Sequence, residues 1–573
     1  MPAIRKESAP DPLGSGDDGR RRRAGRLRRV ARRAVVTVGV LAIGGVAGFA
    51  ALWHLFPIPE DMLHPGPGGS LVLDAEGGVL VDTVAADDQR RLPIALSDAG
   101  PWIPAAVIAV EDASFHRHAG VDPTAILAAI KANLGAGRIV RGGSTITMQV
   151  AGMRLGHPRT IPGKAVEAFR ALQIDAAFDK DDILESWLNM APFGGNLVGV
   201  EAASRGWFGK PASACSLAEA ALLAGLPNSP ERFRPDRHPD AAMRRRSVVL
   251  DRMLAEGLID ATQHARADAE PVIVRRRDTV GNDRHVGWMA IDAAGRGRVI
   301  ETTIEPIRQE IVESIVAAHA RTLPSECDIS VVLADTATGE IRALVGSSDP
   351  LDPRDGRVNG ATSRRSPGSA LKPFLYAAAF EDHRLAPDSI VDDAPADFAG
   401  WRPRNVDRRH LGRMPASEAL RTSRNLPALL VARGLGPDRI ERVLQDVGLP
   451  IDAADLERSG LAIAVGGVEL RPIELAEAYA TLARGGVHRP LRLLRSTSDS
   501  DDLGSTATRR VLSERTCAAI ESCLAGPAID DAEVLPFMAA KTGTSSGHRD
   551  AIAAGWNRRW TAVVWVGRFD GRS

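Results

Sequence analysis

The sequence predicts a multidomain protein: an amino-terminal transmembrane helix, then a mostly α domain, then an α+β domain. Three observations carry that expectation. An uncharged run, Ala34 to Phe56, follows directly on nine arginines between Arg20 and Arg33. Helical apolar spacing dominates from Pro101 to about Asp260. Strand signals then appear near residue 330 and return at the end of the chain, with helical stretches between them. At 573 residues the chain is too long for one hydrophobic core.

Residues 1–33 form a polar and then basic tail, disordered at its start by composition. The run 34–56 spans about 35 Å as a helix, enough to cross a hydrocarbon core of about 30 Å. Arginines before it and the remaining mass after it put the tail in the cytoplasm and residues 57–573 outside, as a single-pass inner-membrane protein. A cleaved signal would be shorter and would end on a small-x-small site, which is lacking. A nucleic-acid-binding tail is set aside because the arginines adjoin the apolar run, so no nucleic-acid partner is expected.

Residues 57–100 read as a membrane-proximal hairpin and connector, with Leu71–Leu73 and Val79–Val81 flanking Asp74-Ala75-Glu76-Gly77-Gly78. The α domain, 101–260, holds a helix starting at Asp122-Pro123 and others over Lys164–Lys180, Asp181–Asn189 and Leu217–Leu226. The charged stretch 261–325 has no sustained period and reads as a linker. The last domain, 326–573, opens with strands at Ile329–Leu333 and Ile341–Val345. Helices follow over Ser369–His383, Ala416–Arg433 and Leu470–Arg484, then strands over Pro536–Ser545, Ala551–Trp556 and Thr561–Arg568. Strands at both ends with helices between them predict one sheet that joins the two ends.

Ser369-Ala370-Leu371-Lys372-Pro373 carries the first chemistry. Proline is tolerated only in the first turn of a helix, so Pro373 puts a helix start near Ser369. Orphan N–H groups there favour an oxyanion, and the i,i+3 spacing puts Lys372 on the same face, a serine nucleophile with an amine base. The lysine itself is informative. The chain has 7 lysines among 72 basic residues, so a lysine that persists needs a compact ammonium or a pKa that can be lowered. Lys164, Lys210, Lys372 and Lys541 are four of the seven. Cys215, Cys327, Cys517 and Cys523 show no metal-ligand spacing and read as buried small apolar residues.

In the α domain, Glu111 ends the apolar Ile108-Ala109-Val110. There it is either a carboxylate of raised pKa suited to acid/base work or a helix-end carboxylate paired with Arg117 or a histidine. Gly142-Gly143-Ser144-Thr145 offers flexibility and hydroxyls for phosphate or sugar oxygens.

Taken together, Glu111-Asp112-x-x-Phe115-x-x-His118, Gly142-Gly143-Ser144-Thr145 with Gln149, Lys164-x-x-Glu167, and Ile183-Leu184-Glu185-x-x-Leu188-Asn189 resemble the peptidoglycan glycosyltransferases. These are the lysozyme-like domains that begin class A penicillin-binding proteins. The resemblance implies that Glu111 is the base on the acceptor sugar hydroxyl and that Glu167 assists at the donor pyrophosphate. Ser144, Thr145, Gln149 and Lys164 would contact the phosphates, and Asp112, Phe115, His118 and Asn189 would contribute to substrate binding. Met148, Gly152 and Gly163 stand where many members have glutamine, lysine and arginine, which thins the phosphate-binding charge.

Ser369-x-x-Lys372, Ser423-x-Asn425 and Lys541-Thr542-Gly543-Thr544 occur in the order shared by serine β-lactamases and penicillin-binding proteins. The resemblance implies a β-lactamase-like transpeptidase domain with Ser369 as nucleophile, Lys372 as its base, Ser423 as proton relay and Asn425 on the substrate amide. Lys541, Thr542, Gly543 and Thr544 would hold the substrate carboxylate, and the Ser369 and Thr544 N–H groups would form the oxyanion hole. Met148-Gln149-Val150 and the tail after Lys541 resemble the 1C branch of the family. Members usually continue into a further C-terminal domain, which a chain ending at Ser573 is expected to lack.

The implied function is a bifunctional synthase that polymerises lipid II into glycan strands and crosslinks stem peptides, with β-lactams as covalent inhibitors. It requires no cofactor, and a divalent cation at the glycosyltransferase site is left open. The alternative is a penicillin-binding transpeptidase, or a β-lactam-binding scaffold, whose first domain is weak or inactive. A β-lactamase is disfavoured by the anchor and the first domain.

Overall fold

The computed structural model describes residues 36–572 except 38–39, 42, 67, 139–141, 157–159, 272–273, 275–283, 399, 496–507 and 527–537. The expected basic tail lies outside the described residues. Helical residues are described at 43–55, and among the described residues no helix is long and apolar enough to cross a membrane. Val46, Leu52 and Leu55 are exposed there, but Phe49 and Trp53 pack edge-on against Phe169 at ring-centroid distances of 5.6 and 6.1 Å. Arg170 Nη1 and Gln173 Nε2 donate to the Phe56 carbonyl at 2.8 and 2.9 Å.

The first domain is helical. Its centre is Leu217–Gly225, apolar apart from Glu219 and buried from Ala220 through Gly225, as a helix surrounded by others must be. Ser216 and Glu219 close a capping box at its start, and Lys210 pairs with Glu219 at 2.6 Å. Around it pack Trp102–Glu111 and Pro239–Ala255. Four further helices follow in the chain: Pro123–Ala136, then Ile146–Leu155 with Gln149, Ile161–Ala177 with Lys164 and Glu167, and Lys180–Met190 with Asn189. Asp122 caps the first of them, with Pro123 in its first turn, as the sequence predicts.

The second domain is built on a six-stranded antiparallel sheet. Its order is Ala525–Gly526, Met538–Thr544, Asp550–Trp556, Trp560–Gly567, Asp328–Asp335, Ile341–Val345. The terminal strand pairs with the first strand of the domain over eight residues, from Trp560 opposite Asp335 to Gly567 opposite Asp328. Both ends of the domain therefore meet in mid-sheet. One face is covered by Pro472–Ala483 and Glu514–Leu524, and Ile329, Val331 and Val345 on the other face pack against Val316 of the helix Pro306–Ala320.

Two expectations need correction. The helix expected over Ala416–Arg433 is two helices, Ala416–Arg421 and Asn425–Leu435, broken at Ser423 with φ +58°. The physical reason is Pro427, which fits only the first turn of a new helix. The stretch expected as a linker, 261–325, is not featureless. It holds the helices Ala261–Ala269, Arg284–Ala294 and Pro306–Ala320, and its strand Val299–Glu301 pairs in parallel with Leu71–Leu73 of the membrane-proximal hairpin.

That added strand makes a small sheet with two buried faces. Leu71 and Leu73 belong to the apolar core of the first domain, whereas Val72, Leu80, Val81 and Ile300 belong to that of the second. Alternation along a strand sends neighbours to opposite faces, so one hairpin contributes to both cores. Gly287 lets the helix Arg284–Ala294 approach this sheet, because a Cβ there would sit 2.0 Å from Val81 Cγ2. Gly287→Ala is therefore expected to cost about 1–3 kcal/mol by overpacking. A thermal scan should show a lower unfolding midpoint, and an unchanged one would mean that this contact yields without cost.

Candidate active sites

In the α domain the helix Ile146–Leu155 carries groups to both candidate carboxylates. Thr145 caps it, accepting from Met148 N–H at 3.1 Å and donating to the Gly120 carbonyl at 2.6 Å. One helical turn apart on this helix stand Gln149 and Gly152. Gln149 Nε2 donates to Glu111 Oε2 at 2.8 Å, while its Oε1 accepts from Trp187 Nε1 at 2.9 Å. Gly152 lies against Glu167, whose Oε1 would be 3.2 Å from an added Cβ.

Burial holds the Glu111 carboxyl above its ordinary range, opposed by the Gln149 hydrogen bond and the charges of Arg245 and Arg252. Of the two readings of Glu111, the geometry favours the raised carboxyl over a partner in Arg117 or a histidine. Arg245 and Arg252, on Pro239–Ala255, had no motif to mark them, and their i,i+7 spacing on one helix face was the available signal.

Lys164 Nζ joins Ser144 Oγ at 3.1 Å to Glu167 Oε2 at 2.6 Å, a basic and hydroxyl-bearing corner beside a buried carboxylate. The other expected contacts are spent on structure. Asp112 accepts from His118 Nε2 at 2.9 Å and from Ile146 N–H at 3.0 Å, and so ties the first motif to the second. Phe115 is buried under Lys180 Nζ, 4.7 Å from its ring centroid. Asn189 both accepts from and donates to the Ile94 backbone, at 3.0 and 2.9 Å, which clamps the connector.

In the second domain three segments converge. Ser369 lies in a tight 3-10 turn, Gly368–Leu371, and the α-helix begins only at Lys372. In such a turn residues i and i+3 eclipse, so Lys372 stands over Ser369. Tyr479 O–H holds the turn by donating to the Ala370 carbonyl at 2.6 Å. Gly543 lets the strand Met538–Thr544 lie on the turn, since a Cβ there would be 2.0 Å from the Pro367 carbonyl oxygen. Along that strand Lys541 and Gly543 are buried, whereas Thr542 and Thr544 are exposed and open to a ligand.

Lys372 has no exposed surface, and its Nζ donates to the Ser423 carbonyl and Asn425 Oδ1, both at 2.7 Å. Burial, with Lys541 and Arg424 adding repulsion, drives its pKa well below that of an ordinary lysine. A neutral amine has two N–H groups, and these two acceptors use both. The lone pair remains for a hydroxyl. Ser423 Oγ lies 3.5 Å from Lys372 Nζ and 2.8 Å from Lys541 Nζ, between the two amines. Burial lowers Lys541 to about 8.

The sequence motifs gave no hint of what fixes Ser423 and Asn425. Arg424, between them, donates Nε to the fully buried Asp393 at 2.8 Å and Nη1 to Asp407 at 2.9 Å. Asn405 Nδ2 donates to Asp393 at 2.6 Å, and its Oδ1 accepts from Asn425 N–H at 2.8 Å.

The second site thus sets the three motifs around a buried amine, on a chain whose first domain presents a buried carboxyl beside a corner built from a lysine, a hydroxyl and a second carboxylate. The family described as Transglycosylase matches residues 77–254, and the penicillin binding protein transpeptidase domain matches 329–566. Penicillin-binding protein 1C of Escherichia coli is 35% identical over 91% of this chain and 68% of its own length. Penicillin-binding protein 1A/1B of Bacillus subtilis is 27% identical over 98% of this chain and 65% of its own. The chain thus spans about two thirds of the length of these curated relatives. A solved penicillin-binding protein 1A from Haemophilus influenzae aligns over 88% of both chains at 19% identity and a TM-score of 0.48. The chain belongs to the class A penicillin-binding proteins.

Arg424→Gln leaves the buried Asp393 carboxylate without its charge partner and is expected to cost about 3–5 kcal/mol. Adding Asp393→Asn should recover most of that loss. Urea unfolding of the single and double variants checks it, and equal losses in both would point to packing instead of charge.

Proposed function

We propose that the chain is a bifunctional peptidoglycan synthase, polymerising lipid II at Glu111 and crosslinking stem peptides through a Ser369 acyl-enzyme. The observation that carries the reading is the buried Lys372, one 3-10 turn from Ser369 in sequence, with both N–H groups used on Ser423 and Asn425 and its Nζ 3.5 Å from the Ser423 hydroxyl. Lys372 removes the proton as Ser369 Oγ attacks the penultimate carbonyl of the donor peptide, and the Ser369 and Thr544 N–H groups receive the oxyanion. Ser423, between the two amines, passes the proton to the departing terminal residue. An amine of a second stem peptide then takes the acyl group and frees Ser369. Lys541 with Thr542 and Thr544 holds the donor carboxylate.

In the first domain Glu111, ionised, accepts the proton of the attacking sugar hydroxyl while Lys164 and Ser144 receive the leaving pyrophosphate. A lipid-borne donor calls for a site near the bilayer, and the apolar run 34–56 is read as its anchor. The packing of Phe49 and Trp53 on the helix that carries Lys164 and Glu167 supports this. Exposed Leu127, Ile130 and Leu134 along one face of Pro123–Ala136 support it as well. An inactive first domain is not favoured, since Glu111, Lys164 and Glu167 all stand in the matched transglycosylase region.

Labelled penicillin should acylate the wild-type protein and leave Ser369→Ala unlabelled, with retained label in the variant refuting the nucleophile. The acylation rate should rise with pH through the lowered pKa of Lys372, because only the neutral amine accepts a proton.

Glu111→Gln should abolish glycan formation from lipid II. The ionised form of Glu111 is the active one, so the acid limb of polymerisation should lie above the ordinary carboxylate range. Gln149→Leu removes a donor that favours that form, and should move the limb higher still. A downward shift in the pH–rate profile would contradict the assignment.

A further inference from the structure

A loop outside the three motifs is bonded to the second of them. Residues 402–413 hold five arginines, Arg402, Arg404, Arg408, Arg409 and Arg413, a density well above that of even this arginine-rich chain. The loop is fastened to the site by its backbone. Asn425 Nδ2 donates to the Arg404 carbonyl at 2.8 Å, and Arg424 Nη2 donates to the Arg409 carbonyl. Asp393 secures its far end, accepting from Leu411 N–H at 3.0 Å.

Three carboxylates of the region are engaged elsewhere. Asp393 and Asp407 face Arg424, and Asp397 takes Arg402 at 2.9 Å. Arg404 and Arg408 are exposed, and among the described residues neither pairs with a carboxylate. Arg408 also has φ +59°, in a turn closed by its N–H on the Asn405 carbonyl at 2.9 Å. A glycine would hold that turn at lower cost, yet a guanidinium stands there.

We propose that Arg404 and Arg408 form a subsite for a carboxylate borne by an internal residue of the stem peptide bound in the cleft. This subsite is separate from the one that takes the terminal carboxylate on Lys541, Thr542 and Thr544, and it rests on the transpeptidase reading. A peptide whose amide meets Asn425 runs past the Arg404 carbonyl bonded to the same side chain. The arginine forks on a fastened loop suit a carboxylate and gain little from the corresponding amide, which offers them no charge. Donor and acceptor peptides could each bring such a group.

The test measures kcat/KM for transpeptidation by the full-length protein, with the internal carboxylate free or amidated, separately on donor and acceptor. The wild type should prefer the free carboxylate on one of the two by about tenfold, the sum of two exposed charge pairs. The preference should shrink as salt rises. The arm that shows it names the source. Arg404→Ala with Arg408→Gly, a pair that suits the backbone at both positions, should bring the ratio to about 1, while Arg404→Lys with Arg408→Lys should keep part of it. A wild type without preference on either peptide, or a preference that survives the Ala/Gly pair, overturns the subsite. Penicillin labelling of the wild type separates the two claims: label without preference refutes only the subsite, and no label refutes the transpeptidase reading and the subsite with it.

Discussion

A lysine amine without access to water organises the second domain. A charged Lys372 at full burial would need a counterion, and its nearest charged neighbours, Lys541 and Arg424, have the same sign. Neutrality is the cheaper state, and a neutral amine with both N–H groups used on Ser423 and Asn425 can only accept. The chemistry of the site thus follows from a shortage of solvent and of negative charge. Every segment around Lys372 serves that shortage. The sheet strand brings a second lysine, the break at Ser423 turns a carbonyl inward, and the Arg424–Asp393 pair fixes the break.

The first domain uses the opposite sign in a similar way. Glu111 is raised by burial, but a single amide, Gln149, and two more distant arginines keep its charged form within reach. Its second carboxylate, Glu167, is instead neutralised directly by Lys164. One carboxylate is thus held by an amide and the other by a cation. At Gly152 the small residue leaves Glu167 room against the helix that also supplies Gln149, since an added Cβ would stand 3.2 Å from its carboxyl.

The two sites are joined by more than a tether. The hairpin near residue 72, completed by a strand some 230 residues later in the chain, has one face in each domain core. The stretch 261–325 looked like a linker because its charges break the apolar period, and a two-residue alternation over three residues is too short to register. Only pairing with a distant strand gives it structure.

What the sequence determined by itself was local or compositional. Pro373 and Asp122-Pro123 dictate helix starts, the terminal strands announce themselves as short apolar runs between turn residues, and the scarcity of lysine singles out Lys372 and Lys541. Ser369, Lys372, Ser423, Asn425 and Lys541 were all legible as motifs, as were Glu111, Lys164 and Glu167. Tertiary structure decided which groups are free. Gln149, grouped by its motif with the phosphate contacts, meets Glu111 instead, while Thr145 and Asn189 are consumed by backbone bonds. Arg424, Asp393, Asn405 and the loop behind them carry no signature, since a salt bridge between residues 31 apart depends on where two segments meet. Burial is the reason for the division. It lowers the pKa of Lys372 and raises that of Glu111, and burial belongs to the packed chain, not to the order of residues along it.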